Sequence, residues 1–315
     1  MASTIPAPTT TTTVPRRHKK VVVIMGPTGS GKSKLSVDLA SRFFSSSEII
    51  NSDKIQIYNG LDITTNKTPP ADRKNIPHHL LGDFHPTEDH PIFTASDFRS
   101  AANSFISEIV TRRKTPFLVG GSNSYIYALL AKKFNPVTDA SVFTGPEPFC
   151  PELRYSCCFI WVDVSPAVLD EYLGIRVDEM MESGMFEELS EYFKNSGPGS
   201  VMDSGLKMSI GVPEFEGYFE KFGAAAGGGD EAERKRVYDE AVRAVKENSC
   251  QLAKRQVGKI MQLRDAAGWD LKRVDATAAI REMIEGGGGR MKAAEVWEKE
   301  VVEPSMKIVK RFLME

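Results

Sequence analysis

The chain has 315 residues, 41% of them hydrophobic, which suits a globular protein of about two domains. Its 40 basic and 42 acidic residues give a formal net charge of −2, so overall charge provides no attraction to a large nucleic acid. No apolar stretch approaches the roughly 20 residues that a membrane-spanning helix needs. We therefore expect neither a membrane nor a large RNA or DNA as a partner.

Residues 1–19 are rich in threonine and proline and contain basic but no acidic residues. A segment of this composition cannot form a hydrophobic core, so it is predicted to be disordered. Its basic, hydroxyl-rich character also resembles part of an organelle transit peptide, although it is short for one. Plastid and cytoplasmic locations both remain open.

From residue 20 onward, predicted strands alternate with predicted helices. Apolar residues at helical spacing predict helices over 34–44 and 94–113. Short apolar runs predict four strands, at Val21–Met25, Glu48–Asn51, Phe117–Val119 and Cys157–Val164. Strands separated by helices favour an α/β fold with a parallel sheet between helices, and residues 20–165 are predicted to form this core.

The pattern after Pro166 becomes mainly helical, so residues 166–315 are predicted to form a helical domain that closes over the ligand channel. A long helix is expected over 231–264. The glycine–alanine run at 223–229 is expected to be a flexible link, and a second glycine run interrupts the chain at 286–289.

A complete phosphate-loop motif lies between the first strand and the first helix. It fills the pattern G-x-x-x-x-G-K-S/T, which predicts a P-loop NTPase-like sheet and a phosphorylated ligand. Backbone N–H groups of such a loop bind phosphate oxygens, Lys32 supplies positive charge, and the Ser33 hydroxyl is placed to bind Mg²⁺. The candidate phosphate-binding residues are Gly26, Pro27, Thr28, Gly29, Ser30, Gly31, Lys32 and Ser33.

Four segments follow predicted strands and are expected to share one rim of the sheet, at 26–33, 52–56, 120–124 and 163–165. Asp53 lies in the second of them, beside the phosphate loop. As an ionised carboxylate it can bind Mg²⁺ or accept a proton, and a turn-capping aspartate is the alternative. Asp163 is either a metal-site residue or an ordinary strand-end aspartate.

Cysteines and histidines give no metal-site pattern. The four cysteines, at 150, 157, 158 and 250, lack metal-ligand spacing and are expected to be free thiols. All five histidines lie at or before His90, so the second half of the chain holds no Cys/His zinc finger. His78 and His79 are interpreted as structural.

Seven blocks in consistent order over residues 20–265 resemble the isopentenyltransferase family. Within them, Gly211–Phe215 and the strand at 157–164 are similar to the plant adenylate members. The blocks are Gly26–Ser33, Asn51–Tyr58, Pro77–Gly82, Val119–Tyr125, Leu173–Asp178, Ser209–Glu214 and Leu252–Gln256.

This resemblance implies transfer of a dimethylallyl group from dimethylallyl diphosphate to the 6-amino nitrogen of adenine in ATP, ADP or AMP. The phosphate loop then holds the diphosphate of the donor, where Lys32, the loop N–H groups and Mg²⁺ at Ser33 stabilise the leaving group. Thr28 is expected to donate a hydrogen bond to the bridging oxygen. Asp53 is expected to accept the proton of the adenine amine.

The resemblance implies further site residues. Ser52 and Gln56 stand beside Asp53, whereas Arg176 and Asp178 follow a segment whose family counterpart lines the channel. The residues expected to line the prenyl pocket are Ser122, Asn123 and Tyr125. Lys254 and Arg255 are either phosphate ligands or solvated helix charges.

The sequence also departs from the family pattern. Members that modify transfer RNA carry Thr-Trp where this chain has Val257-Gly258, which favours a free nucleotide as acceptor. Residues 135–151 match the family poorly, so the lid over the donor is not defined. Three alternatives remain open: a small-molecule kinase that uses the loop for ATP, a nucleotide switch without chemistry, and a transfer-RNA dimethylallyltransferase.

Overall fold

The computed structural model describes residues 18–136, 142–145, 148–195, 203–223, 230–286 and 289–315. The predicted disorder of residues 1–19 and the predicted link at 223–229 therefore fall almost wholly outside the described residues. Residues 137–141 and 146–147 of the poorly matching segment 135–151 fall outside them as well.

Six parallel strands form one central sheet. They are β1 (Lys20–Met25), β2 (Ser47–Asn51), β3 (His78–His79), β4 (Thr115–Gly120), β5 (Ser156–Asp163) and β6 (Leu271–Asp275). Their order across the sheet is β3-β2-β4-β1-β5-β6. Met25 is level with Gly120 and Trp161, and Asn51 is level with Val119, so neighbouring strands end at the same edge. The predicted parallel α/β sheet and its four predicted strands are confirmed.

Helices cover both faces of the sheet and extend beyond it. They are α1 (Lys32–Arg42), α2 (Ala95–Thr111), α3 (Asn123–Leu130), α4 (Pro166–Glu182), α5 (Met185–Asn195), α6 (Asp203–Leu206), α7 (Val212–Phe222), α8 (Glu231–Asp265), α9 (Thr277–Glu285), α10 (Gly289–Trp297) and α11 (Glu303–Met314). A short 3₁₀ helix spans Pro70–Arg73, and a π-helical turn, Glu298–Val302, joins α10 to α11. None of the described helices combines the length and apolar character needed to cross a bilayer.

The sheet separates two hydrophobic cores. Strand β1 has a continuous apolar sequence because both of its faces are buried, as is usual for a central parallel strand. Val21, Val23 and Met25 pack with α2, α3 and the end of α8, whereas Val22 and Ile24 pack with α1, α4 and α9–α11.

A third core lies among α5, α7 and α8. It is rich in aromatic rings, and Phe186 and Phe215 have ring centroids 5.8 Å apart. Tyr58 and Leu61, which follow β2, are buried in the same core. Helix α8 contributes buried residues to all three cores, so it connects the helical part of the molecule to both faces of the sheet.

The edge strands β3 and β6 were not anticipated from the sequence. Of the five β6 residues only Val274 is buried, and three are charged, so the segment lacks an apolar run. Helices α10 and α11 then pack against the α1 side of the sheet. The chain after residue 266 therefore completes the core of the α/β part, although the sequence prediction placed it in the helical part.

A buried carboxylate stabilises the start of β2. Glu48 is 3% exposed, and its oxygens lie 2.9 Å from Lys114 Nζ, 2.7 Å from Arg112 Nη2 and 2.8 Å from His79 Nε2. Burial favours the neutral acid, but the hydrogen bonds from these three groups outweigh it and lower the pKa of Glu48 to about 2. The prediction that His79 is structural agrees with this position.

Candidate active site

The phosphate loop joins β1 to α1, as the motif predicted. Gly31 precedes the first helical residue with φ +87°, a conformation that favours glycine. The first turn of α1 has no acidic residue, and its unpaired N–H groups favour an anion. This part of the site is therefore suited to a phosphate group.

Lys32 is poised for an anionic ligand. Its Nζ donates to the carbonyl of Pro27 at 2.6 Å, which folds the side chain back over the loop. Burial lowers the pKa of Lys32 to about 8, the charge of Asp53 opposes this change, and the charge of Arg176 adds to it. A bound phosphate would favour the charged form of the amine.

Two cavities open beside the loop. The phosphate-loop lobe, of about 950 Å³, is lined by Gly29, Lys32 and Ser33 and extends along the 62–74 segment. The α8 lobe, of about 360 Å³, lies between the start of α3 and one face of α8. Eight of the described residues line both lobes: Thr28, Asp53, Gln56, Asn66, Gly121, Arg176, Met180 and Gln256. These shared residues mark the junction of the two lobes.

Asp53 is held in a turn at this junction. Its backbone N–H donates to Asn51 Oδ1 at 3.3 Å, and its Oδ1 accepts from the Ile55 N–H at 3.1 Å. The other oxygen, Oδ2, has no hydrogen-bond partner among the described residues. Asp53 thus caps the turn with one carboxylate oxygen, as one of the two sequence interpretations proposed, and its second oxygen remains available to a ligand.

The ends of β2 and β4 pack through serine contacts. Ser122 Oγ accepts from the Lys54 N–H at 2.9 Å, and the Ser122 N–H donates to the Ser52 carbonyl at 3.2 Å. Ser52 is fully buried and lines neither lobe, so it supports the site from beneath. Gln56 lines both lobes and donates from Nε2 to the carbonyls of Thr65 and Asn66.

Three residues of the phosphate loop lie beneath the surface of the lobes. Gly26, Pro27 and Ser30 are buried, and within the described chain they line neither lobe. Ser122 and Asn123 line the α8 lobe but not the phosphate-loop lobe, and their predicted place in the prenyl pocket stays a prediction.

Tyr125 does not reach the site. Its ring stacks on Phe98 at 4.7 Å between centroids, and its hydroxyl donates to the Phe93 carbonyl at 2.5 Å. The side chain is 5% exposed and lines neither lobe. The sequence interpretation of Tyr125 as a pocket residue is therefore corrected, because the apolar interior of α3 takes the ring into the core.

Arg176 and Asp178 lie on different sides of α4. Arg176 lines both lobes, and burial lowers its pKa; no carboxylate pairs with it in the part of the chain that the structure describes. Asp178 is 56% exposed, pairs with Lys246 at 2.6 Å and lines neither lobe. The structure brings only the arginine to the site, and the expectation for Asp178 is corrected.

The two cations of the Leu252–Gln256 block also separate. Arg255 lines the α8 lobe, whereas Lys254 points away and pairs with Asp170 at 2.9 Å. Asp163 lies 2.6 Å from Arg273 and lines neither lobe. The segment 163–165 is thus the one predicted rim segment that does not reach the site.

Two residues that contact the phosphate loop were not singled out from the sequence. Gln256 of α8 accepts from the Thr28 N–H at 2.7 Å. Trp297 of α10 is 2% exposed and packs on Gly31, where an added Cβ would lie 2.5 Å from Cη2 of the indole. Its Nε1 donates to Asp38 Oδ2 at 3.0 Å. Gln256 appears in the sequence only as the last residue of the Leu252–Gln256 block and no local pattern marks Trp297, so only long-range contacts reveal what the two residues do.

The residues present fit a magnesium ion that arrives with phosphate. Among the described residues, no group of three or more histidine, cysteine, aspartate or glutamate side chains is arranged to hold a metal. Ser33 is exposed at the first turn of α1 and lines the same lobe as Asp53. Mg²⁺ usually keeps several waters and binds through one or two protein oxygens and substrate phosphates, which matches this donor set.

Structural comparison supports the fold. A eukaryotic dimethylallyltransferase acting on tRNA superposes with a TM-score of 0.72 at 23% identity, over 94% of this chain and 80% of that one. A tRNA isopentenylpyrophosphate transferase from Bacillus halodurans gives a TM-score of 0.63 at 25% identity, over 90% and 99%. These likenesses confirm the predicted P-loop NTPase-like architecture.

Sequence comparison is more specific. The family model described as IPP transferase matches residues 56–147 and 135–258. The chain is 52% identical over 300 residues to adenylate isopentenyltransferase 1, chloroplastic, of Arabidopsis thaliana, covering 95% of this chain and 82% of that protein. It is 51% identical over 301 residues to the adenylate isopentenyltransferase of Humulus lupulus, covering 93% and 90%. The chain therefore belongs to the isopentenyltransferase family, in agreement with its seven sequence blocks.

Proposed function

We propose that the chain transfers the dimethylallyl group of dimethylallyl diphosphate to the 6-amino nitrogen of adenine in ATP or ADP, with AMP as a further acceptor. Diphosphate is released, and the product begins cytokinin biosynthesis. The names of the plant relatives support this activity. The observation that carries the proposal is the meeting of two lobes at Asp53, Thr28 and Arg176, because the reaction needs two substrates that meet at one point.

The phosphate-loop lobe suits the donor. Breaking the allylic carbon–oxygen bond leaves negative charge on diphosphate, and Lys32 and the N–H groups at the start of α1 can stabilise that charge. Thr28 lines the junction, where its hydroxyl is proposed to donate to the bridging oxygen. When bound with the diphosphate at Ser33, Mg²⁺ would supply further charge stabilisation.

Asp53 suits the acceptor proton. The adenine amine is a weak nucleophile because its lone pair is delocalised into the ring. Asp53 lines the junction, and its Oδ2 has no hydrogen-bond partner among the described residues, so a carboxylate oxygen is available as general base where nitrogen and carbon must meet. Such a base typically contributes about 10²- to 10⁴-fold in rate.

The α8 lobe suits a phosphorylated acceptor. Lys54, Arg255 and Lys259 line it, and Lys259 has a lowered pKa because of burial and the nearby charges of Lys54 and Arg255. Cations that repel one another in this way favour an anion between them. A nucleotide with several phosphates satisfies this requirement.

The test is product analysis with Asp53→Asn. Wild-type enzyme, dimethylallyl diphosphate and each adenine nucleotide should give a product heavier by one prenyl group, with all nucleotide phosphates retained. Asp53→Asn should fold normally and lose about 10²- to 10⁴-fold in kcat. Asp178→Asn is the matched control, because that aspartate lies outside both lobes.

The outcomes separate the alternatives. A kinase would convert ATP to ADP and leave the base unmodified, and an unmodified base with every nucleotide would refute the proposal. Labelling of transfer RNA by the donor in preference to free nucleotide would favour the transfer-RNA alternative.

A plastid location is proposed as well. Relatives named chloroplastic support it, although one similar protein, from Arabidopsis thaliana, is named mitochondrial. A fluorescent fusion of the whole chain should enter plastids, and the same fusion without residues 1–19 should not. Equal distribution of the two fusions would contradict the proposal.

A further inference from the structure

Gln256 is a buried amide that joins three elements at the junction of the two lobes. Its side chain is 7% exposed, and Oε1 accepts from the Thr28 N–H of the phosphate loop at 2.7 Å. Nε2 donates to the Gly121 carbonyl, between β4 and α3, at 3.2 Å. Its own backbone carbonyl accepts from Asn123 Nδ2 at 3.1 Å. One residue of α8 therefore contacts both loops that border the junction.

This position requires an amide in both shape and polarity. A Cβ added at Gly121 would lie 2.4 Å from Nε2, so the β4–α3 turn approaches the amide more closely than any side chain at 121 would permit. Oε1 faces a donor and Nε2 faces an acceptor. A primary amide of glutamine length satisfies both partners, whereas a carboxylate of the same shape places an acceptor against the Gly121 carbonyl.

Gln256 is also the link between the walls of the two lobes. The face of α8 that carries it lines the α8 lobe through Ser249, Leu252 and Lys259. Thr28, which it holds, lines both lobes. A change in this hydrogen bond therefore changes the spacing between the acceptor wall and the phosphate loop.

We propose that Gln256 is a positioning residue, which fixes Thr28 and the phosphate loop relative to the acceptor lobe so that donor carbon and acceptor nitrogen align. The inference rests on the proposed function, since alignment matters only if two bound substrates react. Because the Thr28 N–H donates to Gln256, it is already paired, and N–H groups later in the loop are left to bind phosphate oxygens. A misplacement of about 1 Å can lower a rate by about 10²-fold.

The test compares Gln256→Glu with the wild type. At pH 8 the introduced carboxylate repels the Gly121 carbonyl, and kcat should fall about 10- to 100-fold while KM for the donor stays within about threefold. As pH is lowered, the buried carboxyl protonates, its O–H replaces the missing donor, and the ratio of variant to wild-type kcat should rise. Charged residues that line the lobes together with Gln256 include Lys32, Asp53, Lys54, Arg176, Arg255 and Lys259, and all of them are present in both proteins, so the ratio of the two kcat values isolates the residue at 256.

Gln251→Glu is the matched control, because Gln251 is exposed on the same helix and lines neither lobe. It should leave kcat unchanged at every pH. If Gln256→Glu does not fold, Gly121→Ala displaces the same amide without adding charge and should lower kcat by a similar factor.

The positioning role of Gln256 and the proposed function can fail separately. If the wild type is active, the positioning role is overturned by a Gln256→Glu variant with the wild-type kcat, or by one whose loss of kcat does not shrink on acidification. A Gly121→Ala variant with the wild-type kcat would also overturn the positioning role. A wild type that prenylates no nucleotide would instead refute the proposed function.

Discussion

Replacing Glu48 by glutamine removes a buried charge while it preserves the size of the side chain. Arg112 and Lys114 then lose an ionic partner, and His79 loses a charged hydrogen-bond partner. The pKa of Glu48 falls from 4.5 to about 2 in the folded protein. At 1.36 kcal/mol per pKa unit, this shift corresponds to about 3 kcal/mol of stability at neutral pH. Because the Arg112 and Lys114 side chains are 45% and 37% exposed and regain water, we expect a loss of about 2 kcal/mol.

The pH dependence has a defined sign. The folded-state pKa of Glu48 lies below the unfolded value, so the carboxylate stabilises the fold fully above about pH 5 and progressively less as pH falls towards 2. The stability gap between wild type and Glu48→Gln should therefore be constant from pH 5 to 8 and should shrink in acid.

Urea unfolding at several pH values measures this gap. Glu152→Gln is the control, since Glu152 forms an ion pair with Lys132 that is 60% exposed on both sides, and no resolvable change is expected. Equal urea midpoints for wild type and Glu48→Gln at pH 7, or a gap that widens in acid, would refute the reasoning.

Further changes test the site and the core. Arg176→Ala should lower kcat/KM by about 10²-fold in steady-state assays, because Arg176 borders both lobes without a carboxylate partner among the described residues. Unchanged kinetics would show that Arg176 does not contribute to binding or catalysis. Gly31→Ala should destabilise the fold by about 2 kcal/mol, because Gly31 has a positive φ and lies close to Trp297. In a double-mutant cycle, adding Trp297→Leu to Gly31→Ala should recover part of this loss, and strictly additive free energies would argue against the contact. Burial raises the pKa of Cys158 to about 11, so iodoacetamide at pH 8 should modify it only after urea unfolding, as peptide mass analysis will show; rapid labelling of the folded protein would contradict its buried position.

Local patterns made the core of the site predictable. The phosphate loop is a contiguous motif between a strand and a helix, and Asp53 follows the next strand, so parallel topology alone brings them to one edge. The prediction that Asp178 lines the channel together with Arg176 conflicts with simple helix geometry. It lies two residues from Arg176, about 200° around α4, so both side chains cannot face one cavity.

Other features depend on contacts that no local pattern records. Gln256 was visible only as the last residue of a sequence block, and its hydrogen bond to Thr28 spans 228 positions. Trp297 and β6 gave no local signal, because a charged edge strand and a single buried indole gain their stability from distant partners. The sequence predicts correctly that Tyr125 follows β4, but it does not predict the direction of the ring, which is decided by packing against Phe98.

The contact between Trp297 and Gly31 also has a consequence for biosynthesis. The two residues are 266 positions apart, so at typical translation rates roughly 15 to 50 seconds pass between the synthesis of Gly31 and the synthesis of Trp297, whose indole packs on it. Within that interval, from the synthesis of β5 until the synthesis of β6, β5 has no β6 beside it, and its free edge is available for incorrect pairing. The nascent chain therefore holds its phosphate-binding segment in an incomplete state until Trp297 emerges, and chaperone demand should be greatest in that period.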